Sequence, residues 1–314
     1  MAATNDASKR AKMEASGPRL SVLVNGRICW GVKTGFNEAF VIDQETRDRL
    51  VAEDEKCEAV IKRLLTGDDV RRYETHFRDV FLIYTPHGIR ISDYPAIERH
   101  LKPFRARLEK RATEQAWYEL QQPQEAYVPF LETTKLIYPE IGKKSRFVID
   151  AAKFFVNNKT FFLPSDDWYL LGVLNSASVV EYLKGTCSVL GDEADGGRLE
   201  FRAQYMETLP VPNAPGAERA VIAKFAQEAQ RLHSERRVRV EKFLGEIGLQ
   251  AAQSTSRNPL EQPWSLPPQD FTRRAPRPEL KKFTAARDET AALTEEIEKV
   301  EREIDERVSA LYGL

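Results

Sequence analysis

The sequence predicts an α+β fold: a mixed α/β domain followed by two long C-terminal helices that form an antiparallel, coiled-coil-like pair. Three observations predict it. Short β-branched and aromatic runs alternate with helical patterns from Leu20 to Pro212. Two amphipathic stretches with heptad character follow, at about 217–248 and 279–312. Between these lies the Pro-rich linker 251–278, containing NPLEQPWSLPPQDFTRRAPRPEL, which cannot be continuous helix. The chain therefore divides into a leader (1–18), a mixed domain (19–212) and a helical region (213–314).

Residues 1–18 are small, polar and weakly basic, and are expected to form a loose, disordered leader. They lack the apolar centre of a secretory signal, and no apolar run approaches the ~20 residues that span a bilayer. A cytoplasmic location is the expectation. In the mixed domain, Ser21 to Val24, Arg27 to Val32, Ala39 to Asp43, Val80 to Pro86 and Ser145 to Asp150 read as strands. Asn25-Gly26, Pro86-His87-Gly88 and Gly196-Gly197 read as turns between such elements. TRDRLVAEDEKCEAVIKRLL contains helix, and PAIERHLKPFRARLEKRA sets Ile97, Leu101, Phe104 and Leu108 at helical spacing. DWYLLGVLNSASVVEYLKG is a third helical candidate.

The tail carries Ile222, Phe225, Ala229, Leu232, Val240, Phe243 and Ile247 on one stripe. Phe283, Ala286, Leu293, Ile297, Val300, Ile304, Val308 and Leu311 form the other. Such stripes pack against each other as core. The outer face of the last helix is mostly acidic, which argues against DNA contact there.

Composition excludes little. With 47 Lys+Arg against 48 Asp+Glu the formal net charge is −1, and nucleic-acid binding would need a local basic face. Cys29, Cys57 and Cys187 lie far apart without metal or redox spacing, as reduced thiols do. His76, His87, His100 and His233 are scattered singly, which gives no zinc or nucleophile constellation. Neither a phosphate-binding GxxxxGK[ST] loop nor the Asn-Pro-Pro-aromatic loop and Gly-rich turn of an adenine methyltransferase occurs. Asn258-Pro259-Leu260 and Leu266-Pro267-Pro268-Gln269 are superficial echoes. Asp54-Glu55-Lys56 echoes a nuclease, but in a charge-rich helix such triplets arise by chance. No catalytic residue, metal ligand or cofactor site is assigned to the chain.

The strip GRICWGVKTGFNEAFVID, Gly26 to Asp43, resembles the opening of the TaqI-like C-terminal specificity domain of adenine-specific DNA methyltransferases and type IIG restriction enzymes. Further pieces similar to that family follow in its order. They are VIKRLLTGDDVRRY, DYPAIERHLKPFRARLEKR, WYELQQP, TKLIYPEI, LLGVLNS, FRAQYMETLPVP and the ending IDERVSALYGL. The resemblance runs from about Met13 to Leu314. Arg63 stands where the family has Pro, and Asp68 where it has Arg or Lys. The methyltransferase domain that normally precedes is not in this sequence, so the chain resembles a split subunit or a C-terminal fragment.

The resemblance implies sequence-specific recognition of double-stranded DNA on behalf of a restriction–modification system. Phosphate contacts would set register and side chains would read base edges. Lys33, Thr34 and Asn37 flank Gly31 and Gly35 and are the first candidates; the alternative is a tight structural turn. Arg71 and Arg72 are the second, unless Asp69 pairs with one of them. Lys102, Arg105, Arg107, Lys110 and Arg111 form the densest basic run, opposed only by Glu109, beside Trp117 and Tyr118. A solvated helix face has the same look. Lys135 is a further phosphate candidate. The implied partners are a methyltransferase or nuclease subunit, which would hold S-adenosylmethionine, or a second copy meeting through the helical region. An interaction scaffold or inactive remnant, and an unrecognised metal-dependent nuclease, are the alternatives.

Overall fold

A computed structural model describes residues 2–191, 197–255 and 257–314, with side chains described from Ala7 onward. In chain order, the first strands are β1 (Cys29–Trp30), β2 (Val41–Asp43), β3 (Ile61–Leu65), β4 (Val70–Arg71), β5 (Glu74–Thr75) and β6 (Val80–Ile83). They are followed by β7 (Lys135–Pro139), β8 (Ile141–Gly142), β9 (Val148–Asp150), β10 (Phe155–Val156), β11 (Thr160–Leu163), β12 (Val189–Leu190) and β13 (Arg198–Glu200). The helices that matter below are α1 (Ala2–Ala15), α2 (Gln44–Glu53), α3 (Pro95–Leu101), α4 (Arg105–Leu108) and α5 (Val128–Leu131). Then come α6 (Trp168–Asn175), α7 (Ala177–Lys184), α8 (Gly216–Glu246), α9 (Pro268–Arg274) and α10 (Leu280–Leu311).

One antiparallel sheet, in the order β1-β11-β7-β9, divides the mixed domain into two cores. Strand side chains alternate between faces. Leu136, Tyr138, Phe161, Leu163 and Ile149 therefore pack on one side with α6, α7 and the long helices. Ile137, Phe162 and Val148 pack on the other side with a second sheet, β10-β3-β6-β2. Burial on both faces explains why the strand Lys135–Pro139 is buried throughout and mostly apolar. A three-stranded sheet, β12-β13-β8, and the hairpin β4–β5 complete the strands.

The sequence pattern places most elements, with two corrections. Ser21 to Val24 is not a strand. Leu20–Leu23 makes one helical turn, closed by Val24 N–H donating to the Leu20 carbonyl at 3.1 Å, with only Leu20 and Val24 buried. The leader is not loose. Residues 2–15 are helical, Met13 sits in the first core, and Lys12 Nζ donates to the Gly313 carbonyl at 2.7 Å. Arg10 donates to the Gly185 carbonyl at 3.2 Å and lies over the Tyr182 ring. Linker 251–278 carries packing of its own. Its short 3₁₀ turns and α9 bury Leu260, Leu266 and Phe271 against Phe243 and Phe283, a third core in which the rings of Phe271 and Phe283 stack at 4.3 Å. Of the predicted Gly196-Gly197 turn, Gly196 lies outside the described residues.

The helical candidate around Leu171 is two helices. Asp167 caps α6 by accepting from Tyr169 N–H, and Ser176 ends it and caps α7. Gly172 lets α8 approach, since a Cβ there would stand 2.8 Å from Ile222 Cγ2. Helices α8 and α10 pair antiparallel as expected. Cross-links descend in register: Arg307 to Glu218, His233 to Glu301 and Arg236 to Thr294. No helix among the described residues is long and apolar enough to cross a membrane.

Candidate nucleic-acid interface

The strip Gly31 to Asn37 leaves the sheet edge as an extended loop. Gly31 N–H donates to the Thr160 carbonyl at 3.0 Å, and a Cβ at Gly31 would collide with the Val156 and Asn157 carbonyl oxygens. That close approach requires glycine. Lys33 then exchanges backbone hydrogen bonds with Gln122 at 3.0 and 2.9 Å. Its half-exposed ammonium has no ion-pair partner among the described residues. Thr34 is corrected to a structural role: it is buried and donates to Asn37 Oδ1 at 2.6 Å, while accepting from Phe36 N–H. Asn37 is exposed beside it. Gly35, at φ +78°, closes the turn against Arg111 and Gln121.

The basic run folds onto this loop. Pro103 cannot extend a helix, so the run splits into α3, a 3₁₀ turn at Lys102–Phe104, and α4. Leu101 and Leu108 anchor it in the second core. Lys102, Arg105, Arg107 and Lys110 point outward and form an exposed ridge. Lys102 and Lys110 make no ion pair among the described residues. Arg107 lies over the Phe36 ring at 4.5 Å, so the loop carries the ridge's central guanidinium. Arg105 lies over Trp117 at 5.3 Å and donates to Glu109 at 2.7 Å. Arg111 is corrected: it donates to the Thr34, Leu108 and Trp117 carbonyls at 2.9–3.0 Å and welds the loop to the ridge. Two separate sequence candidates thereby become one surface. Gln122, exposed opposite Lys33, belongs to it too. It stands in the WYELQQP motif, but only pairing across the fold brings it to Lys33.

The remaining candidates point inward. Arg71 Nη1 meets Glu261 at 2.7 Å and Glu74 at 3.6 Å, and its Nη2 meets His76 Nδ1 at 2.9 Å. Arg72 donates to Glu301 at 2.8 Å and to the Asn175 carbonyl. Neither arginine pairs with Asp69, which instead accepts from Arg78 and Thr66. Lys135 is fully buried, donating to Asp150 Oδ2 at 2.7 Å and the Leu131 carbonyl at 2.8 Å, so it cannot reach a phosphate. Burial pushes its pKa down while Asp150 opposes that shift.

Arg71 and Arg72 instead belong to a charged junction where the β4–β5 hairpin meets the helical region. Arg237 of α8 donates to Glu261 at 2.9 Å and approaches His76 Nε2 at 2.7 Å. Glu301 of α10 links Arg72 to His233, which it meets at 2.9 Å. Burial first, and then the guanidinium groups of Arg237 and Arg71, push His76 down to about 4. His76 is thus neutral at pH 7. A cavity of about 200 Å³ lies here, lined by Arg71, Glu74, Arg236 and Trp264 among others. The three cysteines are free and buried. No group of three or more His, Cys, Asp and Glu among the described residues could hold a metal ion.

Comparison with known proteins follows the same outline. Residues 62–211 match the family model of the TaqI-like C-terminal specificity domain. The strip from Gly26 to Asp43 and the helical region lie outside that match. No curated protein matches the chain. Among solved structures, one chain from a study of the Type IIL restriction-modification enzyme MmeI in complex with DNA shares the fold. It does so with a TM-score of 0.52 and 15% identity, over 91% of this chain and 32% of that one. This chain thus spans about a third of that enzyme's length. Ridge, hairpin and buried Lys135 all fall inside the matched segment, and residues 62–211 are a TaqI-like C-terminal specificity domain.

Proposed function

We propose that this chain recognises specific sequences in double-stranded DNA, as the specificity subunit or C-terminal part of an adenine-specific methyltransferase or type IIG-like restriction enzyme. Methyl transfer and cleavage belong to a partner, which holds the S-adenosylmethionine. The observation that carries the reading is the exposed ridge Lys102–Arg107–Lys110, joined to the Lys33 loop within or beside a specificity-domain match. The neighbour of like fold was solved with DNA, which supports it.

Each residue type suits a task. Lys102, Lys110 and Lys33 are mobile cations fit for phosphates. Arg107, braced on Phe36, presents a planar fork of the kind that reads guanine, and Asn37 and Gln122 carry amides of the kind that read adenine. Arg105 shares its charge with Glu109 and stands as a secondary contact. The helical region serves as a spacer and as the docking surface for the catalytic partner or a second copy. The work is done in the cytoplasm, where the DNA is.

Anisotropy of a labelled random-sequence duplex, titrated with the chain at two salt concentrations, tests the proposal. Binding should weaken with salt on a log–log slope of about −0.9 for each phosphate neutralised, so roughly −2.7 for three lysines. No binding at low salt, or binding without a salt slope, would sink the reading.

A further inference from the structure

Among the described residues, the exposed large apolar side chains are Val22, Leu23, Trp30, Val238, Leu280 and Leu314, and only Trp30 is aromatic. It stands on β1, an edge strand of its sheet, 39% exposed. Its ring is not loosely placed. The indole meets Tyr127 edge-to-face at 5.6 Å and 80°, and Tyr127 meets the fully buried Phe162 edge-to-face at 6.2 Å and 86°. A chain of T-shaped contacts running into the core fixes the plane of the indole.

Cations flank it in the sequence, three residues to either side. Arg27, three residues earlier and exposed, lies over Phe130 at 5.1 Å, and Phe130 follows Tyr127 by three residues in the same short helical segment. Lys33 is three residues later, on the loop already described. Neither cation has an ion-pair partner among the described residues. Arg27 and Trp30 rest on neighbouring rings of that one helical segment, Phe130 and Tyr127. A fixed aromatic plane between two unpaired cations is the arrangement that takes a base on the ring and its flanking phosphates on the charges. A patch for an apolar protein partner would instead be continuous and uncharged at its centre.

We propose that Trp30, with Arg27 and Lys33, is a stacking contact for a nucleobase that has left the duplex stack. The proposal rests on the DNA-recognition reading of the neighbouring ridge. A base inside a duplex offers no free face, so the contact acts only where a base is unpaired.

The test compares two labelled DNAs by anisotropy: a fully paired duplex, and the same duplex carrying one unpaired thymidine. The wild-type chain should favour the second by about five- to a hundred-fold, the range of one base–aromatic stack. Trp30→Ala should bring that ratio to about one, and Trp30→Phe should keep most of it, with thermal melts confirming that both variants fold. If Trp30→Ala keeps the ratio, or if the wild type binds both DNAs equally, stacking by Trp30 is wrong while DNA recognition stands. If neither DNA is bound, DNA recognition falls and this contact falls with it.

Discussion

At the scale of single residues, the cations of this chain divide by what lies beneath them. Lys135 and Lys102 are both lysines in a strand or helix of the specificity domain, yet one is fully buried against Asp150 and the other stands in water. Removing one member of a buried pair leaves the other charge uncompensated, at about 3–5 kcal/mol. Lys135→Met should therefore lower stability by about that amount in chemical denaturation. Below its melting temperature, it should bind DNA with an unchanged salt slope. A weakened slope in a folded Lys135→Met protein would return this lysine to the interface. TKLIYPEI contains nothing that marks its lysine as buried. Burial arises because its strand lies between two cores, a fact of the assembled sheet.

Elements carry the next layer. Most strands and the antiparallel helix pair were legible because hydrophobic period is a local signal. The breaks at Pro103 and Ser176 were not read, because the apolar spacing continues across both. The helical turn at Leu20–Leu23 was not, because a four-residue run of two leucines, a valine and a serine satisfies either state and tertiary burial of Leu20 decided it. The hairpin's two arginines were misread for a related reason: their partners Glu261 and Glu301 lie about 190 and 230 residues away in sequence. This junction also predicts a pH response. His76 is held neutral, with its pKa pushed from the ordinary 6.5 to about 4. Its contribution is present in full above about 6.5 and is lost as pH falls toward 4, because the unfolded chain takes up the proton first. The half-buried His100 shifts in the same direction. The melting temperature should drop between pH 7.5 and 5, and less so in His76→Gln, whose amide can still face Arg71 and the Ala251 carbonyl. An identical drop in both proteins would remove His76 from the account.

For the molecule as a whole, charge sorting is the organising feature. A chain of net charge −1 keeps many of its arginines inside, pairing the recognition lobe to α8, α10 and the linker, and leaves a small basic face outside. The inner set ties the lobe to the helices, and the outer set is the one proposed to meet phosphates. Family motifs marked where the specificity domain lies, but motifs cannot separate these two sets, since arginines of both occur in basic runs. The most direct measurement is the salt slope of duplex binding for two variants. Lys33→Ala/Lys102→Ala/Lys110→Ala should reduce the slope by about 2.7, three phosphate contacts at about 0.9 each. Arg71→Ala/Arg72→Ala should lower stability and leave the slope of the folded protein as it was. The reverse pattern, an unchanged slope in the triple variant and a flattened one in the hairpin variant, would contradict this assignment of the interface.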